Sequence, residues 1–359
     1  MASTKNICFF NTTSFWGGGE KWHFEAAQKM SETNNNTFFI CNGKGALAKK
    51  LEGLEVVQHH VTASNLSFLN PVKINKLVQF YKENKIDAVI FNNPKDLKLG
   101  GRAAKKAGVT KIVYRRGIAV EVKKSRLNQH LFGDVVTHFV FNSIATKSLL
   151  EKNYKRIIPQ KKSAIIYNAI EFPKEHITSE SKATTQFVIG NAGRLVEQKA
   201  QHYLIDIAEK LNEKQVNFKI QIAGDGPLYD DLKKSISDRN LTDKIELLGF
   251  VKDMSTFMSG VDIFVSTAIW EGFGFVLAEA MVAKKPVLAF DMSSNPELVK
   301  DGENGYLIPP KNIALFADKI EALISDQALR EKMGDEAYRF AKANFEKEKQ
   351  FQKLIHFVA

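Results

Sequence analysis

Cysteine is scarce: the 359 residues contain two, Cys8 and Cys41. Each lies inside an apolar run that reads as a strand and far from any metal-ligand spacing, so buried structural thiols are expected rather than a redox or metal role. Long hydrophobic runs are missing as well. No stretch reaches the roughly 18 apolar residues of a membrane-spanning helix, and the uncharged run from Val56 to Val72 is interrupted by Gln58, His59, His60, Asn65 and Asn70. The opening residues, MASTKNICFF, continue into a strand-like segment instead of a small-residue cleavage site, which leads us to expect a cytoplasmic protein. Low-complexity tracts and short repeats are absent. So is the G-x-G-x-x-G dinucleotide fingerprint, and no Asp-x-Asp pair stands at a strand end where a divalent ion could bridge phosphates.

Acidic residues are sparse in the first half. Residues 1–170 carry 27 Lys and Arg against 11 Asp and Glu, whereas the remainder carries 24 against 29. The formal net charge of +11 therefore comes entirely from the first half. Such asymmetry suits an anionic partner: a membrane surface, a nucleic acid or a phosphorylated substrate. Nucleic acid is disfavoured because no recognised binding motif accompanies the charge.

Strand-like runs alternate with helix-length amphipathic runs along nearly the whole chain, which predicts α/β architecture with parallel sheets and right-handed crossovers. Strands are expected at 6–11, 37–42, 56–61, 87–92, 111–116, 136–142 and 163–168, then near 187–193, 218–224, 244–249, 263–268, 286–290 and 305–308. Helices are expected at 20–32, 72–83, 96–106 and 144–153. The polar stretch 172–186 reads as a linker, giving domains over 1–171 and 187–344, with the final segment 345–359 packing back on the first. In open α/β sheets ligands bind beyond the carboxyl ends of the strands, so two such sheets are expected to face one another across a cleft.

Three segments after strands carry candidate chemistry. Gly17-Gly18-Gly19-Glu20 combines close backbone approach with a helix start, which suits either a phosphate or a plain tight turn. In GRLVEQK at 193–199, Arg194 can fork onto two phosphate oxygens and Lys199 can add a point charge; a diphosphate fits, as does a surface turn. In EGFGFVLAE at 271–279, Glu271 falls in a loop and Glu279 two turns into an apolar helix. Glu279 needs a partner there, which ribose hydroxyls or an ion pair would supply.

The second half resembles the retaining glycosyltransferases of family 4, which have the two-Rossmann GT-B fold. The resemblance is carried by GRLVEQK at 193–199, IAGDGP at 222–227, LGFV at 248–251, EGFGFVLAEAM at 271–281 and PVLAFD through PELVKDGENGYLIPP at 286–310. The spacing of Glu271 and Glu279 is that family's E-x(7)-E signature. The resemblance implies that Arg194 and Lys199, with Gly193 beside them, neutralise a nucleotide sugar's diphosphate and that Glu279 binds its ribose. It places Glu271 against the transferred sugar, with the backbone of Gly272, Phe273, Gly274 and Phe275 near sugar and phosphates. Phe250 and Val251 would line the base, and Gly18 and Gly19 would close over the diphosphate. Two departures stand out: Ser294-Asn295 replaces the usual glycine pair, and Tyr114-Arg115-Arg116-Gly117 stands where many members have an acceptor-side histidine.

The implied function is metal-independent transfer, with retention, from a nucleotide-diphosphate sugar to a glycan or glycolipid in cell-envelope polysaccharide or lipopolysaccharide synthesis, with no cofactor. A non-catalytic nucleotide-sugar-binding module and a nucleotide-sugar epimerase of the same fold are the alternatives. For the acceptor, Arg115 and Arg116 at a strand end suit an anionic group as a guanidinium pair. Lys123, Lys124 and Arg126 beside Leu127, Leu131 and Phe132 read as a short interfacial helix on the cytoplasmic membrane face.

Overall fold

The computed structural model describes residues 4–173 and 186–359. Within them the chain forms two compact units, Met1–Ala169 with Glu348–Ala359, and Ile170–Lys347. Of the segment read as a linker, residues 174–185 lie outside the described residues.

The first unit holds a seven-stranded parallel sheet of β1 (Asn6–Asn11), β2 (Asn36–Cys41), β3 (Val57–His60), β4 (Ala88–Phe91), β5 (Lys111–Arg116), β6 (His138–Phe141) and β7 (Lys162–Ile165), in the order β3-β2-β1-β4-β5-β6-β7. The second holds a six-stranded parallel sheet of β8 (Phe187–Ala192), β9 (Phe218–Ala223), β10 (Ile245–Gly249), β11 (Ile263–Ser266), β12 (Val287–Phe290) and β13 (Gly305–Ile308), ordered β10-β9-β8-β11-β12-β13. All thirteen anticipated strands are present. The inner strands AVIF, IFVS and VLAF are buried at every position, as a sheet covered on both faces requires.

Each sheet reverses its winding once, between β1 and β4 in the first unit and between β8 and β11 in the second. At such a switch point the flanking loops diverge and leave a crevice beyond the strand ends. The fold thus singles out the loops after β1 and β4, and those after β8 and β11.

The helix Lys347–Val358 belongs to the first unit. Phe351 packs 6.3 Å from the Trp22 ring, Glu348 pairs with Lys29 at 3.0 Å, and Lys111 Nζ donates to the carbonyls of Val358 and Ala359 at 3.1 and 3.0 Å.

Two local expectations need correction. The helix predicted over 96–106 is divided into Pro94–Asp96, a widened π turn at Leu97–Gly101, and Arg102–Ala107. A Cβ at Gly100 would come within 2.5 Å of the Phe10 ring and 2.7 Å of Phe91, so only glycine lets the turn lie this close to the sheet. The supposed interfacial helix is short, Arg126–His130, and Leu131 and Phe132 are buried in the core beneath it while Leu127 packs against that core. Its apolar residues are spent inside the unit and leave no apolar face for a membrane.

Candidate functional site

In the second unit, the loop after β8 is fixed by backbone packing. Gly224 has a φ of +147°, and a Cβ there would lie 2.0 Å from the Gly193 carbonyl oxygen. A Cβ at Gly226 would lie 2.4 Å from the Leu195 carbonyl. Gly193 N–H donates to Ala223 O and Leu195 N–H to Asp225 O, both at 2.9 Å. The GRL and AGDG segments therefore form one rigid double loop whose close approach depends on glycine.

That loop delivers two cations differently. A Cβ on Gly193 would stand 3.2 Å from Lys199 Cε and 3.5 Å from its Nζ, so the absent side chain is the room the lysine occupies. Lys199 Nζ pairs with Glu271 Oε1, with the two side chains only 19% and 13% exposed. Each ion offsets the other's loss of hydration. Arg194, by contrast, is exposed and its side chain makes no hydrogen bond or ion pair among the described residues. Its carbonyl is held at 3.3 Å by Nε2 of the buried Gln201.

The loop after β11 is tied to this one. Ile269 N–H donates to Gln198 O at 3.0 Å, Gln198 Nε2 to Trp270 O at 2.8 Å, and Thr267 Oγ1 to Lys199 O at 3.1 Å. Glu271 is clamped from a third side: Ser293 Oγ accepts its N–H at 3.1 Å and donates to its carbonyl at 2.7 Å, and Ser294 Oγ donates to the same carbonyl at 3.1 Å. Ser293 holds a left-handed φ of +53° to do so. The serines were missed as site residues; the Ser294-Asn295 departure was the only signal, and it does not say what the hydroxyl binds.

Gly274, at φ +92°, caps the helix Phe275–Val282. Glu279 lies just over one turn into that helix, not two, and is half-buried, because the helix starts only at Phe275. Gly272 and Phe275 are half-buried, whereas the Phe273 side chain is buried against Phe275 and Phe345 at ring distances of 5.7 and 5.1 Å. At position 273 only the backbone is left to meet a ligand. Phe250, after β10, is 80% exposed, and Val251 beside it is half-buried.

The first unit treats its strand-end polar groups the other way. The helix Gly18–Ser31 starts after β1, and a Cβ on Gly19 would meet Asn92 Nδ2 at 2.5 Å. Buried Glu20 accepts a hydrogen bond from Asn11 Nδ2 at 3.2 Å. Arg115 is buried 4.1 Å over the Trp22 ring and donates to Asn92 Oδ1 at 2.8 Å and Asn168 Oδ1 at 2.6 Å. Burial pushes its pKa down to about 9, which leaves it cationic at neutral pH. Arg116 is also buried, on the opposite face of β5, and donates to the Val120 carbonyl. The two do not form a guanidinium pair for an acceptor, because successive strand residues point apart and both are consumed by internal partners. Buried His23, beside them, has neither ring nitrogen hydrogen-bonded.

Residues 173–340 match the family described as Glycosyl transferases group 1. A curated relative, the poly(ribitol-phosphate) alpha-N-acetylglucosaminyltransferase of Staphylococcus aureus (strain COL), is 34% identical over 173 residues, 48% of this chain and 35% of that protein. The UDP-Gal:alpha-D-GlcNAc-diphosphoundecaprenol alpha-1,3-galactosyltransferase of Escherichia coli is 26% identical over 313 residues, covering 81% of this chain and 80% of that one. The crystal structure of HepE from Anabaena in complex with UDP superposes with a TM-score of 0.83 at 23% identity, over 98% of this chain and 99% of that chain. The chain spans 35%, 38%, 60% and 52% of the length of the first four curated relatives it matches.

The likeness to the HepE structure is one of fold, the two-Rossmann GT-B architecture. The group 1 match falls on the second unit and includes every site residue from Gly193 to Glu279.

Proposed function

We propose that the chain transfers a glycosyl group from a nucleotide-diphosphate sugar to a glycan or glycolipid acceptor of the cell envelope, with retention of configuration and without a metal or other cofactor. The observation that carries this reading is the arrangement at the β8–β11 switch point, where a glycine-built double loop presents Arg194 to solvent and sets Lys199 against Glu271. Preorganised cations stabilise the charge that develops on a departing diphosphate. In this reading Arg194 and Lys199 hold the diphosphate, the backbone from Gly272 to Phe275 contributes N–H donors, Glu279 binds the ribose hydroxyls, and Glu271 faces the transferred sugar. Phe250 and Val251 lie along the base. The acceptor attacks from the face the diphosphate leaves, and the leaving phosphate helps take its proton.

The names of the relatives, which include transfer to poly(ribitol-phosphate) and to a diphosphoundecaprenol-linked sugar, support an envelope polysaccharide or lipopolysaccharide context, with an anionic acceptor on the cytoplasmic side of the membrane. The first half's excess of basic residues is consistent with that charge.

A thermal-shift screen against nucleoside diphosphates and their sugars tests the donor, since a ligand that binds only the folded state raises the melting temperature. A shift with at least one nucleoside diphosphate is expected. Proton NMR of the first product, with excess chelator, then tests the chemistry. An inverted anomer, activity restored only by added magnesium, or an epimerised donor in place of a transfer product would each overturn the mechanism.

A further inference from the structure

Exposed apolar side chains scattered singly call for no explanation, but a group held together on a rigid support does. After β3, at the edge of the first unit's sheet, Leu66, Leu69 and Val72 are 69%, 65% and 61% exposed. They recur every third residue through the 3₁₀ turn Ser67–Leu69 and into the helix Pro71–Glu83. Side chains three apart eclipse one another in a 3₁₀ turn, which puts Leu66 and Leu69 on one face.

The turn is not loose. Leu69 N–H donates to Leu66 O at 3.0 Å, Asn70 N–H to Ser67 O at 3.1 Å, and Ser64 N–H to the Ser67 hydroxyl at 2.9 Å. Asn70 caps the following helix through Lys73 N–H at 3.0 Å, and Lys73 Nζ reaches back to Thr62 O at 2.8 Å. The backbone is satisfied locally, and the aliphatic tips are left to water.

The charge around these tips is of one sign. No acidic residue occurs between Glu55 and Glu83, a stretch containing Lys73, Lys76 and Lys82. From the neighbouring helical segment, Lys98 and Arg102 lie 5.9 and 5.8 Å from the Phe68 ring, Arg102 donates to Phe68 O at 3.2 Å, and Lys106 donates to Asn75 at 3.0 Å.

We propose that the segment Leu66 to Val72, flanked by Lys73, Lys76, Lys98, Arg102 and Lys106, is a docking surface for an anionic lipid bilayer. Aliphatic tips enter the interface while the cations meet lipid phosphates. A protein partner fits less well, because the buried centres of protein interfaces favour aromatic residues and are depleted in lysine. The inference goes beyond the reading of the donor site and needs no assumption about the sugar.

The test is flotation of the full chain with vesicles of phosphatidylcholine alone and of phosphatidylcholine mixed with phosphatidylglycerol, over a salt series. The wild type floats with the anionic vesicles. A Leu66→Ser/Leu69→Ser variant loses about 100-fold in partitioning, roughly tenfold for each leucine kept out of the interface. A Lys98→Gln/Arg102→Gln variant loses about 30-fold, on anionic vesicles only. Lys233→Gln/Lys234→Gln, in the second unit, partitions like the wild type. Unchanged melting temperatures, and unchanged shifts with nucleoside diphosphates, separate lost docking from lost folding or lost donor binding. Failure of the wild type to float with either vesicle, or unaltered flotation of the leucine variant, overturns the proposal.

Discussion

Arg115, next to the last residue of β5, and Arg194, just past the end of β8, stand at comparable strand ends, and the two units use them in opposite ways. Arg115 is buried, stacked on an indole and bonded to two asparagine side chains. Arg194 is exposed, anchored only through its own carbonyl. A cation stacked and hydrogen-bonded inside the protein is part of the scaffold, whereas one held by its backbone with an uncommitted side chain is available to a ligand. The position of a charge along a strand therefore does not decide its role; the partners around it do.

The largest effect expected from breaking this contrast is on stability. Arg115→Ala removes a buried cation and leaves the Asn92 and Asn168 amides without their donor, at a cost of about 3 kcal/mol in unfolding free energy. Arg194→Ala changes stability by less than about 0.5 kcal/mol, as substitutions at an unpartnered surface site do. Urea denaturation of both variants checks the pair, and equal losses would erase the distinction.

Activity should show the reverse order. Arg194→Ala and Lys199→Ala lower turnover by about 100-fold, the scale of losing one stabiliser of developing charge. Steady-state kinetics with the donor found by thermal shift provides the measurement, and near-normal turnover in both variants would remove the second unit's claim to the chemistry.

A smaller effect is expected at the clamp on Glu271. Ser294→Ala deletes one of the two hydroxyls that bond its carbonyl, and a neutral hydrogen bond of about 1 kcal/mol corresponds to a roughly fivefold change in turnover. The melting temperature should move little, so kinetics and thermal unfolding on one sample separate positioning from folding.

The smallest effect concerns pH. Burial, and then the positive charge of Arg115, lower the His23 pKa well below the ordinary value of 6.5. The unfolded chain binds that proton more readily, so the stability gained by keeping the ring neutral is present above pH 6.5 and is lost as pH falls below it. At roughly one pH unit below that value the loss is about 1 kcal/mol, and His23→Phe should flatten the dependence. Denaturation curves of wild type and variant across that window decide it.

Much of this was legible in the sequence because burial on both faces leaves a plain mark: AVIF, IFVS and VLAF admit no charged residue and only one polar one, Ser266, and the strands are where those runs are. The loop after β8 was legible through GRLVEQK, whose two cations stand out directly after a strand. Three features were not. Arg115 and Arg116 look like a pair in a string of letters, and only the strand geometry sends them to opposite faces. Leu131 and Phe132 beside three basic residues have the composition of an interfacial helix, and only tertiary packing shows that the core has already taken them. Ser293 and Ser294 carry no pattern at all, since a hydroxyl that clamps a loop twenty-two residues away leaves no local periodicity.

The helix Lys347–Val358 also bears on the order in which the protein is completed during synthesis. It supplies Phe351, Leu354 and Val358 to a core that otherwise consists of residues from the first half, including Trp22 and Ile166. Chains are made from the amino end, and domains generally fold as units as they emerge. Here the second unit is wholly synthesised before the first receives its last wall. Through that interval the first unit must wait with part of its apolar surface uncovered, which makes it the part of a nascent chain most in need of a chaperone.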